Sequence, residues 1–329
     1  MELWRDYSTG IPAFLWEAAH TPVMLRLRNV GMNCGCEYTS FPLFAECGPY
    51  SRWDHSLGVS LIVWEHTRSR AGAMAGLLHD IAAPVFAHVV DFLRGDYLTQ
   101  EATEEGTESM IRSSPELLRL LADWEIPTEA VCDCRRYPLA ESPAPRLCAD
   151  RLEYTLGNLV NFGLMSRENV LALYRDVTPG RNEAGEEELV FRSRENALRF
   201  AEGALRCSEI YVSGEDRYAM QRLSELLAMA LKRNVISERM LHSGEDAVIR
   251  ALLSDAVCAA EWRRFRALHR LISAGERGGE AAWRQIPAKK RCIDPFVSGA
   301  GRTSELFETY GENLRSFREK SQSEWLYAE

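Results

Sequence analysis

Four residues of this chain have the types and surroundings to hold a metal ion: His55, the adjacent pair His79 and Asp80, and Asp150. They are far apart in the chain, yet each falls in a stretch of helical periodicity, so several helices can aim imidazole nitrogens and carboxylate oxygens into one bundle interior. Such a mixed donor set suits Mn²⁺, Fe²⁺, Zn²⁺, Ni²⁺ or Co²⁺ better than Ca²⁺, which prefers oxygen alone. An isolated histidine on an apolar helix is more often a hydrogen-bonded core residue than a ligand. Here, however, the segment Ala75-Gly76-Leu77-Leu78-His79-Asp80-Ile81-Ala82-Ala83 is so apolar that an ionised Asp80 would be costly to bury unpaired. A metal is one of the few partners that offsets the cost for both residues. Two Cys-x-Cys pairs, Cys34/Cys36 and Cys132/Cys134, supply four thiols. Structural zinc pairs usually have two or more intervening residues, so ordinary buried cysteines are the expectation.

The elements that must position these residues are expected to be mostly α-helical. Helical spacing of apolar residues dominates, and strand-like alternation is confined to residues around Leu189-Val190-Phe191 and a stretch from Cys36 to Phe44. Helices are expected over 22–30, from 54, over 70–81, 84–94, 101–112, 115–124, 127–136, 145–162, 167–174, 193–212, 215–233, 244–257 and 259–274. Residues 178–188 are the least apolar stretch and read as an exposed connection. The division expected from it is a domain over 1–177 and a helical accessory subdomain over 189–329.

The 329 residues are 46% hydrophobic and 26% charged, enough to bury a sizeable core, which excludes a disordered or fibrous chain. A net charge of −9 spread along the sequence argues against an extended nucleic-acid surface. The short cluster Lys289-Lys290-Arg291 reads as solvated surface rather than a binding patch. No run approaches the ~20 apolar residues of a membrane helix. The N-terminal residues have no basic region followed by an apolar stretch, and an odd count of nine cysteines implies reduced thiols. The expectation is a cytoplasmic protein without membrane contact.

Three segments carry a family resemblance: Ser51-Arg52-Trp53-Asp54-His55-Ser56-Leu57-Gly58-Val59, Ala75-Gly76-Leu77-Leu78-His79-Asp80, and Ala149-Asp150-Arg151-Leu152-Glu153-Tyr154. They resemble the signature segments of the HD-domain metal-dependent phosphohydrolases. The nearest branch is the deoxynucleoside triphosphate triphosphohydrolases, whose opening segment is similar to Thr21-Pro22-Val23-Met24-Leu25-Arg26-Leu27-Arg28. The resemblance covers roughly residues 21–160. It implies an HD-domain helical bundle with a helical C-terminal accessory region, holding one divalent transition metal on His55, His79, Asp80 and Asp150. It leaves room for Mg²⁺ at a second site. It further implies Arg52 beside the substrate phosphates, His88 and Asp91 as catalytic residues on the helix after the metal pair, and Tyr154 near a sugar. A small phosphorylated substrate, most simply a nucleotide, and a homo-oligomer follow from the same resemblance. His88 and Asp91 could equally form a helix-internal hydrogen bond, and Tyr154 could be core.

The chain departs from that branch at the groups that move protons and read the nucleotide. A histidine expected three positions after Asp80 is Ala83, a second catalytic histidine falls at Glu104, a nucleotide-reading glutamine at Met32, and an aspartate after the tyrosine at Asn158. Three readings stay open. The first is a hydrolase for another phosphate ester, with Glu104, Asp91 or His88 as acid or base and Arg52, Tyr154, Asn158 and Met32 around the substrate. The second is a catalytically inactive metal- or nucleotide-binding regulatory protein. The third is a rewired triphosphohydrolase or an HD oxygenase, which has the least support because only His88 is available between Asp80 and Asp150 as a further histidine.

Overall fold

The computed structural model describes residues 2–99, 106–279 and 282–329. Among them are fifteen α-helical segments and six short strands, so the fold is mainly α. The helix Arg52–Thr67 starts where Ser51 Oγ accepts the Asp54 N–H and the Asp54 carboxylate accepts the Ser51 N–H, a reciprocal cap that sets the phase of the helix and hence the direction of His55. It packs along the helix Arg70–Leu78, which Ser69 caps. Gly76 permits this approach, since a Cβ there would lie 3.3 Å from Val59. The third element of this core is Ala149–Asn161, which packs on the other side of Arg52–Thr67.

Two apolar cores result. The first surrounds these three helices and draws in Leu3, Trp4 and Leu27 from the beginning of the chain and Phe191, Phe200 and Val297 from its later part. The second joins Phe41, Phe44, Phe86 and Val89 to the later helices Gly214–Lys232, Glu245–Ser254 and Ala256–Arg266. The candidate site lies where the two meet.

Several expected elements differ. Residues 178–188 belong to an antiparallel hairpin, Val177–Arg181 with Glu187–Phe191, extended by a single parallel pairing of Phe191 with Val297. Glu188 in this hairpin is fully buried, because it pairs with Arg302 at 2.7 Å and accepts the Leu147 N–H at 2.9 Å. Polarity alone therefore misread a strand whose charges are satisfied internally. The stretch from Cys36 to Phe44 forms two 3₁₀ turns, not a strand, since Pro42 cannot donate within a ladder. Residues 127–136 are likewise two 3₁₀ turns. The expected helices over 244–257 and 259–274 are redivided at Asp255, whose carboxylate caps Ala256–Arg266. Residues Leu271–Ala274 instead form a strand against Trp325–Ala328. Among the described residues no helix is long and apolar enough to cross a membrane.

Candidate active site

His55 sits one turn into its helix, 2% exposed, and is held from both sides by the helix Ala149–Asn161. Asp150 and Glu153 are three residues apart on that helix and so share a face. The Asp150 Oδ1 lies 3.0 Å from His55 Nε2, and the Glu153 Oε2 lies 2.6 Å from His55 Nδ1. Glu153 also accepts the Tyr50 hydroxyl at 2.5 Å. This carboxylate approaches so closely because residue 58 is glycine: a Cβ there would lie 2.7 Å from Glu153 Cγ. Upstream, Leu147 is fixed to Glu188 and Leu189 by two hydrogen bonds, so the hairpin aims the start of the Asp150 helix.

His79 and Asp80 lie just beyond the end of the helix Arg70–Leu78, not within a continuing helix. Leaving the helix lets His79 Nδ1 donate back to the Gly76 carbonyl at 2.7 Å, which commits that nitrogen and turns Nε2 toward His55, 3.2 Å away. Both imidazoles thus have Nδ1 occupied by an acceptor and Nε2 facing the same point, the orientation metal-ligating histidines need. His79 Nε2 is 3.5 Å from Asp150 and 3.7 Å from Asp80 Oδ2, which is 4.0 Å from His55 Nε2. Donors at about 2.1 Å from one ion would be about 3.0–3.4 Å apart, so the four side chains fit a transition metal with small adjustment. Burial opposes charge on these groups, but their mutual attraction outweighs it. Asp150 and Glu153 hold His55 up at about 10, Asp80 and Asp150 raise His79, and Arg52, His79 and His55 hold Asp80 down at about 2. Arg52 Nη1 donates to Asp80 Oδ2 at 2.5 Å, and its Nε is a buried donor without a partner.

These residues close one end of a cavity of about 350 Å³. Met32, His88, Tyr154 and Asn158 line it, whereas Asp91, 1% exposed, stands behind His88. The Asp91 carboxylate accepts from His88 Nδ1 at 2.9 Å, and Arg291 donates to His88 Nε2 at 3.1 Å. Burial, helped by the guanidiniums of Arg291 and Arg52 against Asp91, pushes the imidazole down to about 4. Asn158 Nδ2 donates to the Tyr211 hydroxyl at 2.7 Å. Glu104 lies outside the described residues. Near the metal candidates, Glu141, Cys148 and Asp150 also bring one ligand atom each within 4.8 Å of one another. Arg151 already pairs with Glu141 at 3.1 Å and donates to Cys148 at 3.0 Å, so a cation there would compete with a guanidinium.

Several residues of the site were not singled out from sequence. Glu153 had a usable signal, an acid three residues after Asp150 on an otherwise apolar face. Lys289, Lys290 and Arg291, expected as solvated surface, line the cavity. Asp216 and Tyr211 reach it from the later helices with no local motif to mark them. The cysteines of the two Cys-x-Cys pairs are free thiols, with Cys34 and Cys36 buried.

No family model matches the chain. It is 34% identical over 114 residues to the uncharacterized protein YdhJ of Bacillus subtilis, an alignment spanning only 34% of either chain. It is 25% identical over 262 residues to the metal-dependent phosphohydrolase cns2 of Cordyceps militaris, covering 75% of this chain and 71% of that one. Among solved structures, a phosphohydrolase of Bacteroides thetaiotaomicron matches with a TM-score of 0.67 at 13% identity, covering 97% of this chain and 96% of the other. A hypothetical protein of Aquifex aeolicus matches with a TM-score of 0.60 at 18% identity, over 97% and 92% of the two chains. The structural likenesses establish the fold.

Proposed function

We propose that this chain is an HD-type metal-dependent phosphohydrolase that cleaves a phosphoric ester or anhydride bond in a nucleotide or another small phosphorylated metabolite. The observation that carries this reading is the convergence of His55, His79, Asp80 and Asp150 at the end of a cavity that also presents Arg52 and Arg291. When bound there, one divalent ion supplies Lewis-acid polarisation of a phosphoryl oxygen and acidifies a water molecule. Glu153 and the Gly76 carbonyl fix the two imidazole tautomers. Arg52 holds Asp80 with one nitrogen and keeps Nε for an anionic substrate oxygen.

His88, neutral at pH 7 and carrying its proton toward Asp91, would accept a proton at Nε2 only once Arg291 turns to the substrate and no longer helps to hold the imidazole's basicity down. Asp91 is then a positioning residue. Tyr154, Asn158 and Met32 would contact the organic part of the substrate. The partition into 1–177 and 189–329, a cytoplasmic location and a homo-oligomeric assembly belong to the same proposal. Deoxynucleoside triphosphates should be poor substrates, because Ala83 has no titratable group and loss of an acid or base costs about 10²–10⁴ in rate.

The test is a screen of the purified protein, supplemented with Mn²⁺, Fe²⁺, Ni²⁺, Co²⁺ or Zn²⁺, against nucleoside mono- and triphosphates and simple phosphate esters. Orthophosphate, pyrophosphate and triphosphate are read separately. Metal-dependent orthophosphate release that disappears in the His79→Ala, Asp80→Ala double variant supports the reading. Equal metal retention by wild type and double variant overturns the metal site, and efficient triphosphate release overturns the substrate preference.

A further inference from the structure

The cavity is lined by poorly satisfied polar groups of opposite kinds. At the metal end the buried Nε of Arg52 is a donor without a partner. Acceptors line the same cavity. Asn158 Oδ1 is buried without a hydrogen bond, while its amide nitrogen is committed to Tyr211. Asp216, 8% exposed, lines the same cavity from the first turn of the helix Gly214–Lys232. Its side-chain hydrogen bond comes from the Cys36 thiol at 3.6 Å, a weak donor for a carboxylate. Arg291 and the adjacent Arg217 attract it across the protein, but the Arg217 hydrogen bonds are made elsewhere. That guanidinium donates to the Ile286 carbonyl at 2.6 Å and to Val212 at 3.0 Å, and pairs with Glu324.

A buried carboxylate served so poorly costs stability unless a ligand brings donors to it. A phosphoryl group cannot, since it brings only acceptors and negative charge. Hydroxyl groups can, and two acceptors lining one cavity suit more than one of them.

We infer that Asp216, with Asn158, recognises hydroxyl groups on the organic part of the substrate, which is therefore a phosphate ester of a polyol such as a ribonucleotide or a sugar phosphate. This rests on the phosphohydrolase reading for the placement of the phosphate, not for the placement of the hydroxyls. A site built to bond a hydroxyl discriminates strongly against an analogue lacking it, because its own buried acceptors are then left unpaired. Asp216 is thus a specificity determinant and takes no part in bond cleavage.

The experiment measures binding, so that it does not depend on turnover. Metal-loaded protein is titrated calorimetrically with adenosine 5′-monophosphate and ribose 5-phosphate, each beside its 2-deoxy counterpart. Wild type should bind one hydroxylated probe at least about tenfold more tightly than its deoxy partner. The pair that shows the preference tells a nucleotide from a free sugar phosphate. In Asp216→Ala the preference should fall toward unity with metal content at the wild-type level. Asp216→Asn, which keeps the shape and an acceptor, should retain part of it and guards against a folding defect. Equal binding of both members of each pair by wild type, absence of binding to all four probes, or an unchanged preference in Asp216→Ala would overturn the inference. Hydrolysis of p-nitrophenyl phosphate, which has no sugar hydroxyls, is followed in parallel. Its absence in wild type counts against the phosphohydrolase reading alone.

Discussion

Replacing Glu153 by Gln should weaken metal binding without touching any of the four proposed ligands. Glu153 is 1% exposed and accepts from His55 Nδ1 at 2.6 Å and from the Tyr50 hydroxyl at 2.5 Å. Its charge raises the basicity of the imidazole and forces the proton onto Nδ1, leaving Nε2 for the metal. Glutamine has nearly the same shape, so the packing over Gly58 survives, but the charge is lost and the amide can present its NH₂ to Nδ1, favouring the wrong tautomer. Loss of such a partner typically weakens a metal site by about 10–100-fold, or ~1.4–2.7 kcal/mol. The assay is a competition titration of Mn²⁺ or Zn²⁺ against a chelator of known affinity, with the metal-induced rise in melting temperature as a second readout. Gly58→Ala supplies an independent perturbation, since its Cβ would lie 2.7 Å from Glu153 Cγ and push the same carboxylate away. Wild-type affinity in Glu153→Gln, with the protein folded, would refute the assignment of Glu153 as the group that orients His55.

The neighbouring carboxyls of half-buried Glu37 and buried Glu245 should make stability fall with rising pH. Burial and the neighbouring Glu245 raise Glu37 to about 8, so its proton is held in the folded state and released on unfolding. Its contribution is complete below the ordinary carboxyl range and is lost as pH rises through about 8, with a limiting slope of about 1.4 kcal/mol per pH unit. Glu37→Gln should flatten that slope in urea titrations between pH 5 and 8, and an unchanged slope would place the proton elsewhere. Arg302→Ala should cost about 3–5 kcal/mol in chemical denaturation, because it leaves Glu188 charged and buried, whereas Arg302→Met with Glu188→Leu should recover much of the loss. Arg52→Lys keeps the charge beside Asp80 but loses the planar fork, so metal content should hold while kcat/KM for a phosphate ester falls on the order of tenfold. Metal loss in that variant, measured by elemental analysis, would instead make Arg52 a support of Asp80.

Helical periodicity and the apolar setting of His79 and Asp80 are local properties, enough to determine a mainly α fold and to mark that pair, while the set of four candidate ligands came from the resemblance of three separate segments to one family. The convergence of those side chains is a tertiary fact. It depends on Asp150 being aimed by a hairpin whose own polarity suggested a loop, and on His79 lying beyond its helix end, where Nδ1 reaches the Gly76 carbonyl. The same holds for the far wall of the cavity. Arg291 and Asp216 are single polar residues in segments with no motif, and they gain meaning only because long-range packing sets them against His88 and Cys36. Charge patterning along the chain carries no information about which cations face solvent and which face a cavity. Burial decides that, and burial is settled by the meeting of two apolar cores whose residues come from both ends of the sequence.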